Sequence, residues 1–245
     1  MFHVEHQAAD RYVDATSIVD ACATVGITVT QAQAELLAQH AGRVDEADRQ
    51  LNLTGRRSID EILWLDIVDS LAYLPLVGEL RQPVVDIGSG QGFPGIPLAA
   101  CTGLVTTLCE ATKKKAGFLR GVVGELHLAA DVYAGRAEDL ARDRPETYGT
   151  AVARAVTSTA ALVELAAPLL CTGGRLLALR GRVDEADLSA ADRTAAICGM
   201  ERSGRWTYSL PALADSRCVV AYERVGPSVV KLPRRPGMAQ KRPLG

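Results

Sequence analysis

The residues best suited to chemistry lie close together. Residues 83–97 read Pro-Val-Val-Asp-Ile-Gly-Ser-Gly-Gln-Gly-Phe-Pro-Gly-Ile-Pro, an apolar run that carries one acid, Asp86, and ends in Gly88, Gly90 and Gly92. Glycines in such a turn let the backbone approach a ligand and take positive φ, where a Cβ is costly. Further on, the β-branched run 104–109 ends on Glu110. An acid at the tip of a second strand can accept hydrogen bonds from both hydroxyls of a ribose. The competing reading is a surface glutamate that opens a loop. The four histidines (3, 6, 40 and 127) show no metal-ligand spacing, and no Ser-His-Asp arrangement is legible.

Spacing separates two nucleotide cofactors. A dinucleotide fingerprint is G-x-G-x-x-G, but Phe93 stands where its third glycine would fall, and Gly92 comes one residue early. G-x-G-x-G with an acid two residues upstream is the form common in S-adenosylmethionine-dependent methyltransferases. That cofactor has an adenosine but no phosphate, so a helix N-terminus can meet its methionine carboxylate instead.

Elements must hold these residues in place. Residues 1–80 read as helical, with Ala-rich segments near 8–24 and 31–49. A capping box, Ser58 to Glu61, opens a third helix whose apolar face is Ile62, Leu63, Ile67, Leu71 and Leu74, and Pro75 marks its end. From 83 the period switches. Strands are expected near 83–87, 104–109, 130–134, 150–153 and 174–180, with helices near 94–101, 113–127, 136–142 and 157–169, and a loop over 143–149. Residues 201–210 and 217–225 read as two further strands. The pattern predicts an α/β fold: a Rossmann-like class I methyltransferase sheet, mostly parallel with an antiparallel last strand, and an N-terminal helical extension. The expected divisions are 1–80 for the extension, 81–228 for the methyltransferase domain and 229–245 for a basic C-terminal tail.

Bulk properties narrow the class. The 245 residues are 48% hydrophobic and 23% charged, ordinary for a soluble globular chain. No stretch approaches the roughly 20 apolar residues that span a bilayer, and the first residues lack a signal core, so a cytoplasmic protein is expected. Six scattered cysteines without a C-x-x-C pair read as reduced, buried thiols. The net charge of −2 hides an asymmetry. Residues 1–50 hold eight acids against three basic residues, whereas the last fifteen hold Lys231, Arg234, Arg235, Lys241 and Arg242 with no acid. Such a tail, with three prolines, suits an extended arm on phosphates; a solvated terminus is the competing reading.

Several segments resemble the bacterial ribosomal RNA small-subunit methyltransferase G family, also called glucose-inhibited division protein B. They are Phe2-His3-Val4, Asn52-Leu53-Thr54, Asp69-Ser70-Leu71, the stretch from Asp86 through Gly-Phe-Pro-Gly-Ile-Pro, and Lys114-Lys115 with Phe118-Leu119. Gly135-Arg136-Ala137-Glu138, Ala153-Arg154-Ala155, Pro168-Leu-Leu-x-x-Gly-Gly-Arg and Arg234-Arg235-Pro236-Gly237 continue the match to the end of the chain. The resemblance implies transfer of a methyl group from S-adenosyl-L-methionine to guanine N7 in small-subunit (16S) ribosomal RNA. It implies cofactor binding by Asp86, Gly88, Gly90, Phe93, Glu110, Ala137, Glu138 and Arg154, with Glu110 on the ribose and Ala137 and Glu138 at the adenine edge. Arg154 is also the residue expected to matter most for turnover, its alternative role being a structural salt bridge. The implied partner is ribosomal RNA or an assembling 30S particle, with no membrane partner and a monomeric enzyme. A methyltransferase acting on a protein or small molecule, and an RNA-binding protein with a degenerate cofactor site, are the alternatives. Two departures stand out: Leu65-Asp66 where the family usually has Arg-His, and Arg180 where it usually has Lys.

Overall fold

A computed structural model describes residues 13–51, 58–211 and 216–245. Phe2-His3-Val4, Asn52-Leu53-Thr54, Arg56 and Arg57 lie outside the described residues. No helix among those described is long and apolar enough to cross a membrane.

Seven strands form one sheet in the order β3-β2-β1-β4-β5-β7-β6. They are β1 (Val84–Ile87), β2 (Thr106–Cys109), β3 (Ala130–Tyr133), β4 (Tyr148–Arg154), β5 (Leu170–Arg180), β6 (Met200–Ser209) and β7 (Ser216–Arg224). The first five pair in parallel, and β7 runs antiparallel to both β5 and β6. The chain leaves β1 toward β2 on one side and returns to β4 on the other. This reversal opens a crevice beyond the carboxyl ends of β1 and β4, where ligands bind in such sheets.

Alternation along each strand feeds two layers. Val84, Val152, Leu177 and Val219 share a buried cluster with Ile18, Leu37, Ile67 and Leu71 of the N-terminal helices. The neighbouring residues Val85, Ala151, Leu176 and Val220 face the other way, onto Leu162, Val163 and Leu188. Helices α1 (Ala15–Thr24) and α2 (Gln31–Leu51), with residues Ile62–Val68 that follow the short α3 (Ile59–Glu61), therefore cover one sheet face. The other helices are α4 (Leu74–Val77), α5 (Gly95–Thr102), α6 (Lys113–Glu125), α7 (Ala137–Asp143), α8 (Thr159–Ala166), α9 (Glu185–Cys198) and α10 (Met238–Lys241).

Three features depart from the sequence expectation. The capping box forms, with Glu61 N–H donating to Ser58 Oγ at 3.1 Å and Ser58 N–H to Glu61 Oε2 at 3.3 Å. The helix it opens does not run on to Pro75, however. It widens into a π-helical segment over Ile62–Val68, and Pro75 sits in the first turn of α4, where a missing N–H costs nothing. Such widened turns recur at functional sites, and this one carries Asp66 toward the crevice. Helix α9 was not foreseen, although Asp184 caps it by accepting from Asp187 N–H at 2.8 Å and Gly199 ends it at φ 71°. Its buried Leu188, Ala191, Ala195 and Cys198 keep helical spacing, but small alanines give that face little contrast with the rest.

The third departure is the tail, which is not an extended arm. Arg234 turns inward onto α8 and forks onto Glu164, with Nε to Oε1 and Nη2 to Oε2 both at 2.6 Å. Glu164 is 3% exposed, so its charge needs a partner. Glu164 Oε2 also accepts from Leu244 N–H at 3.1 Å.

Candidate active site

The glycine loop is fixed from three sides. Gly88, Gly90 and Gly92 all have positive φ, at 74°, 59° and 102°. Gly88 N–H and Ser89 N–H both donate to Cys109 O at the end of β2, at 2.8 and 3.1 Å. Beneath the loop, Asp86 is fully buried and its Oδ2 accepts from Gly95 N–H at 3.1 Å. From α2, His40 Nε2 donates to Gln91 O at 2.7 Å and its ring lies 4.5 Å from that of Phe93. Burial pushes the His40 imidazole down to about 4, so it is neutral and its Nε2 carries the proton.

Glu110 links two loops. Its Oε2 accepts from Gly90 N–H at 3.0 Å and its Oε1 from Thr112 N–H at 2.6 Å. Each oxygen keeps a second lone pair, and the carboxylate edges a cleft of about 220 Å³. Ile87, Gly88, Ala137, Val156 and Leu165 supply its apolar walls, and Glu138 adds a second acid on the β3 side. This donor set suits a nucleoside: ribose hydroxyls can donate to Glu110, and an adenine amino group to an acid or amide. Two carboxylates against a single cation, Arg136, suit a pyrophosphate poorly. S-adenosylmethionine, with an adenosine and no phosphate, therefore fits the residues present.

Of the residues singled out in the sequence, Gly88, Glu110, Ala137 and Glu138 line this cleft. Asp86, Gly90 and Phe93 stand behind the wall and hold the loop. Arg154 lines a neighbouring cleft of about 280 Å³ with Leu65, Asp69, Arg180, Arg182 and Arg217. Ala155 lines both clefts, and its φ of 55° is one a non-glycine residue seldom adopts. Backbone strain of this kind gathers at ligand sites. Sequence reasoning passed over Val156, Leu165 and Gln240 on the first cleft, and Arg182 and Arg217 on the second. No motif marks any of them; only Val156, two residues beyond the end of β4, could have been guessed.

Arg154 answers to the departure at Leu65-Asp66. Its Nη2 lies 3.0 Å from Asp66 Oδ1, its Nη1 donates to Leu65 O at 2.5 Å, and Asp69 Oδ2 is 3.6 Å from Nη1. The guanidinium also sits over the Phe93 ring, 5.5 Å from its centroid. Asp66 is thus neutralised against Arg154 rather than left as a bare negative charge. Asp69 is shared, accepting from Tyr208 Oη at 2.8 Å and facing Arg217 Nε at 3.7 Å.

Burial pushes the Asp86 carboxyl up to about 7, against the hydrogen bond from Gly95 and the field of Arg154. A raised folded value gives stability that is present below the unfolded value, near 3.8, and lost as pH climbs through the folded one. Asp86→Asn does not titrate. Between about pH 4 and pH 7 the wild type should lose stability relative to Asp86→Asn, read as urea midpoints of both proteins at several pH values. His40 has the opposite slope but titrates in both proteins and cancels. A gap that stays constant with pH would show that Asp86 is ionised throughout.

The sheet order and the nucleoside cleft at the reversal define a Rossmann-like, S-adenosylmethionine-dependent methyltransferase fold. Solved structures of that fold are similar to it at low identity. One, MtNAS in complex with S-adenosylmethionine, has a TM-score of 0.52 at 16% identity, over 86% of this chain and 78% of its own. Another, an S-adenosylmethionine-dependent methyltransferase from Methanosarcina mazei, has a TM-score of 0.50 at 13% identity, over 62% and 98%. The chain belongs to the rRNA small subunit methyltransferase G family, whose family model matches residues 33–208. Relatives of that name share 36% identity in Pelotomaculum thermopropionicum, over 94% of this chain and 98% of theirs, and 34% in Carboxydothermus hydrogenoformans, over 91% and 96%.

Proposed function

We propose that this chain moves the methyl group of S-adenosylmethionine to N7 of a guanine in small-subunit ribosomal RNA. One observation carries the reading: a nucleoside cleft and a cleft with four arginines on its walls meet at Ala155. The cofactor supplies a sulfonium methyl, which is already activated. Guanine N7 presents a lone pair in the ring plane, so no group on the protein need remove a proton first.

The protein's part is alignment. Glu110 and the Gly88 backbone hold the ribose side, while Glu138 and the start of α7 meet the base. In the second cleft Arg154, Arg180, Arg182 and Arg217 offer directional donors for guanine O6 and for phosphates. Asp66 and Asp69 fix Arg154 in orientation, which pre-organises the site. Unmethylated RNA, free or in an assembling 30S particle, is the proposed substrate.

Small subunits from cells lacking the gene, incubated with the protein and labelled S-adenosylmethionine, should gain a single N7-methylguanine by mass mapping. Label recovered on protein alone would sink the reading. Glu110→Ala should weaken S-adenosylhomocysteine binding by about 1–3 kcal/mol, the range for losing a charged hydrogen-bond partner, as read by calorimetry. An unchanged Kd would leave Glu110 only its role in tying Gly90 to Thr112.

A further inference from the structure

The C-terminal segment is built into the fold at several points besides the Arg234–Glu164 fork. Gly237 N–H donates to Glu138 Oε1 at 2.7 Å, and Arg142 Nη2 donates to Arg234 O at 3.1 Å. Arg234 Nη2 also holds Arg242 O at 2.6 Å, which closes the segment into a loop around α10. Ala239 of α10 is 2% exposed and packs in the cluster that contains Ala137 and Leu165. These ties deliver the next residue, Gln240, to the edge of the nucleoside cleft, beside Ala137, Glu138 and Leu165. Gln240 is exposed, and its carboxamide has no hydrogen-bond partner among the described residues.

We propose that this strap is part of the cofactor site, with Gln240 reading the amino edge of adenine and the Arg234–Glu164 fork acting as its clasp. The inference rests on the first cleft being the adenosine site. A carboxamide sets one acceptor beside one donor. Adenine presents the complement, an amino donor flanked on either side by a ring-nitrogen acceptor, which is why glutamine pairs bidentately with it. Glu138 cannot supply that pattern, because a carboxylate only accepts and one of its oxygens is already engaged by Gly237. The basic tail therefore serves the cofactor end of the enzyme through Arg234. Its outward cations, Lys231, Arg235, Lys241 and Arg242, remain exposed.

With Gln240 on the N6–N7 edge, calorimetry on the full chain tests this with S-adenosylhomocysteine and its 6-oxo analogue, S-inosylhomocysteine, which offers two acceptors, O6 and N7, on that edge. The wild type should prefer the adenosyl compound. Gln240→Ala should weaken S-adenosylhomocysteine about tenfold, the worth of one to two hydrogen bonds, and lose most of that preference. Arg234→Ala should do the same by releasing the clasp. If that variant fails to fold, Gln240→Ala carries the test alone, since its side chain is exposed. A wild-type Kd in Gln240→Ala, or a weaker Kd with the preference intact, would overturn the inference and leave the strap as a buttress. Glu110→Ala is run alongside: if it too binds as wild type, the cleft assignment beneath the inference falls instead.

Discussion

Arg154→Ala should lose about 3 kcal/mol of stability as well as all measurable methyl transfer. The guanidinium side chain is 15% exposed, and those of Asp66 and Asp69 are 6% and 8% exposed. Removing one partner of a buried pair leaves an uncompensated charge, which costs about 3–5 kcal/mol. Asp69 keeps Tyr208 and Arg217, so the lower end applies. A loss of turnover in Arg154→Ala alone would therefore mix folding with chemistry. The paired variant Asp66→Leu with Arg154→Met separates them, because replacing both ions by apolar groups of similar size is near neutral. It should regain most of the stability in urea and none of the single-turnover methylation rate. Arg154→Lys keeps the charge but not the fork, and should fold while transferring slowly. If the paired variant methylates RNA at the wild-type rate, Arg154 serves the fold alone.

The sheet was legible because its signals are local. Alternating apolar strands, a glycine turn and an acid at a strand tip are each read over a few residues, and all seven strands fall within a few residues of their expected places. Helix α9 escaped because alanines bury well yet contrast weakly with their neighbours. The π-helical segment escaped because Ile62, Leu63, Ile67 and Leu71 keep a helical period that does not reveal an inserted residue. The partners of Arg154 could not be read at all, since Asp66 is 88 residues away in sequence and only the packing of the π-helical segment Ile62–Val68 on the sheet unites them. The tail misled for a related reason. Charge and proline content suggest an arm in water, but the partner that folds Arg234 inward, Glu164, lies 70 residues upstream in an otherwise apolar helix. Composition reports which charges exist, and tertiary structure decides which of them remain free.

Gly88→Val should abolish measurable cofactor binding, by displacing a wall rather than by filling the cleft. Gly88 has φ +74°, and a Cβ there would lie 2.8 Å from Val156 Cγ2 and 3.1 Å from Cγ1. A β-branched residue at positive φ is an outlier, costing roughly 1–2 kcal/mol in backbone conformation. The overlap with Val156 adds about 1–3 kcal/mol. Val156 lines the same cleft as Glu110 and follows Ala155, so yielding there disturbs both clefts together. The steric part can be isolated. In Gly88→Ala with Val156→Ala the clashing Cγ atoms are gone, and the nearest remaining atom, the Cβ of residue 156, lies 3.6 Å away in ordinary contact. That pair should bind S-adenosylhomocysteine more tightly than Gly88→Ala alone, a non-additive rescue between touching residues. Backbone strain persists in both, so neither should reach the wild-type Kd. Wild-type affinity in Gly88→Val by calorimetry would mean that the cofactor does not lie against this turn.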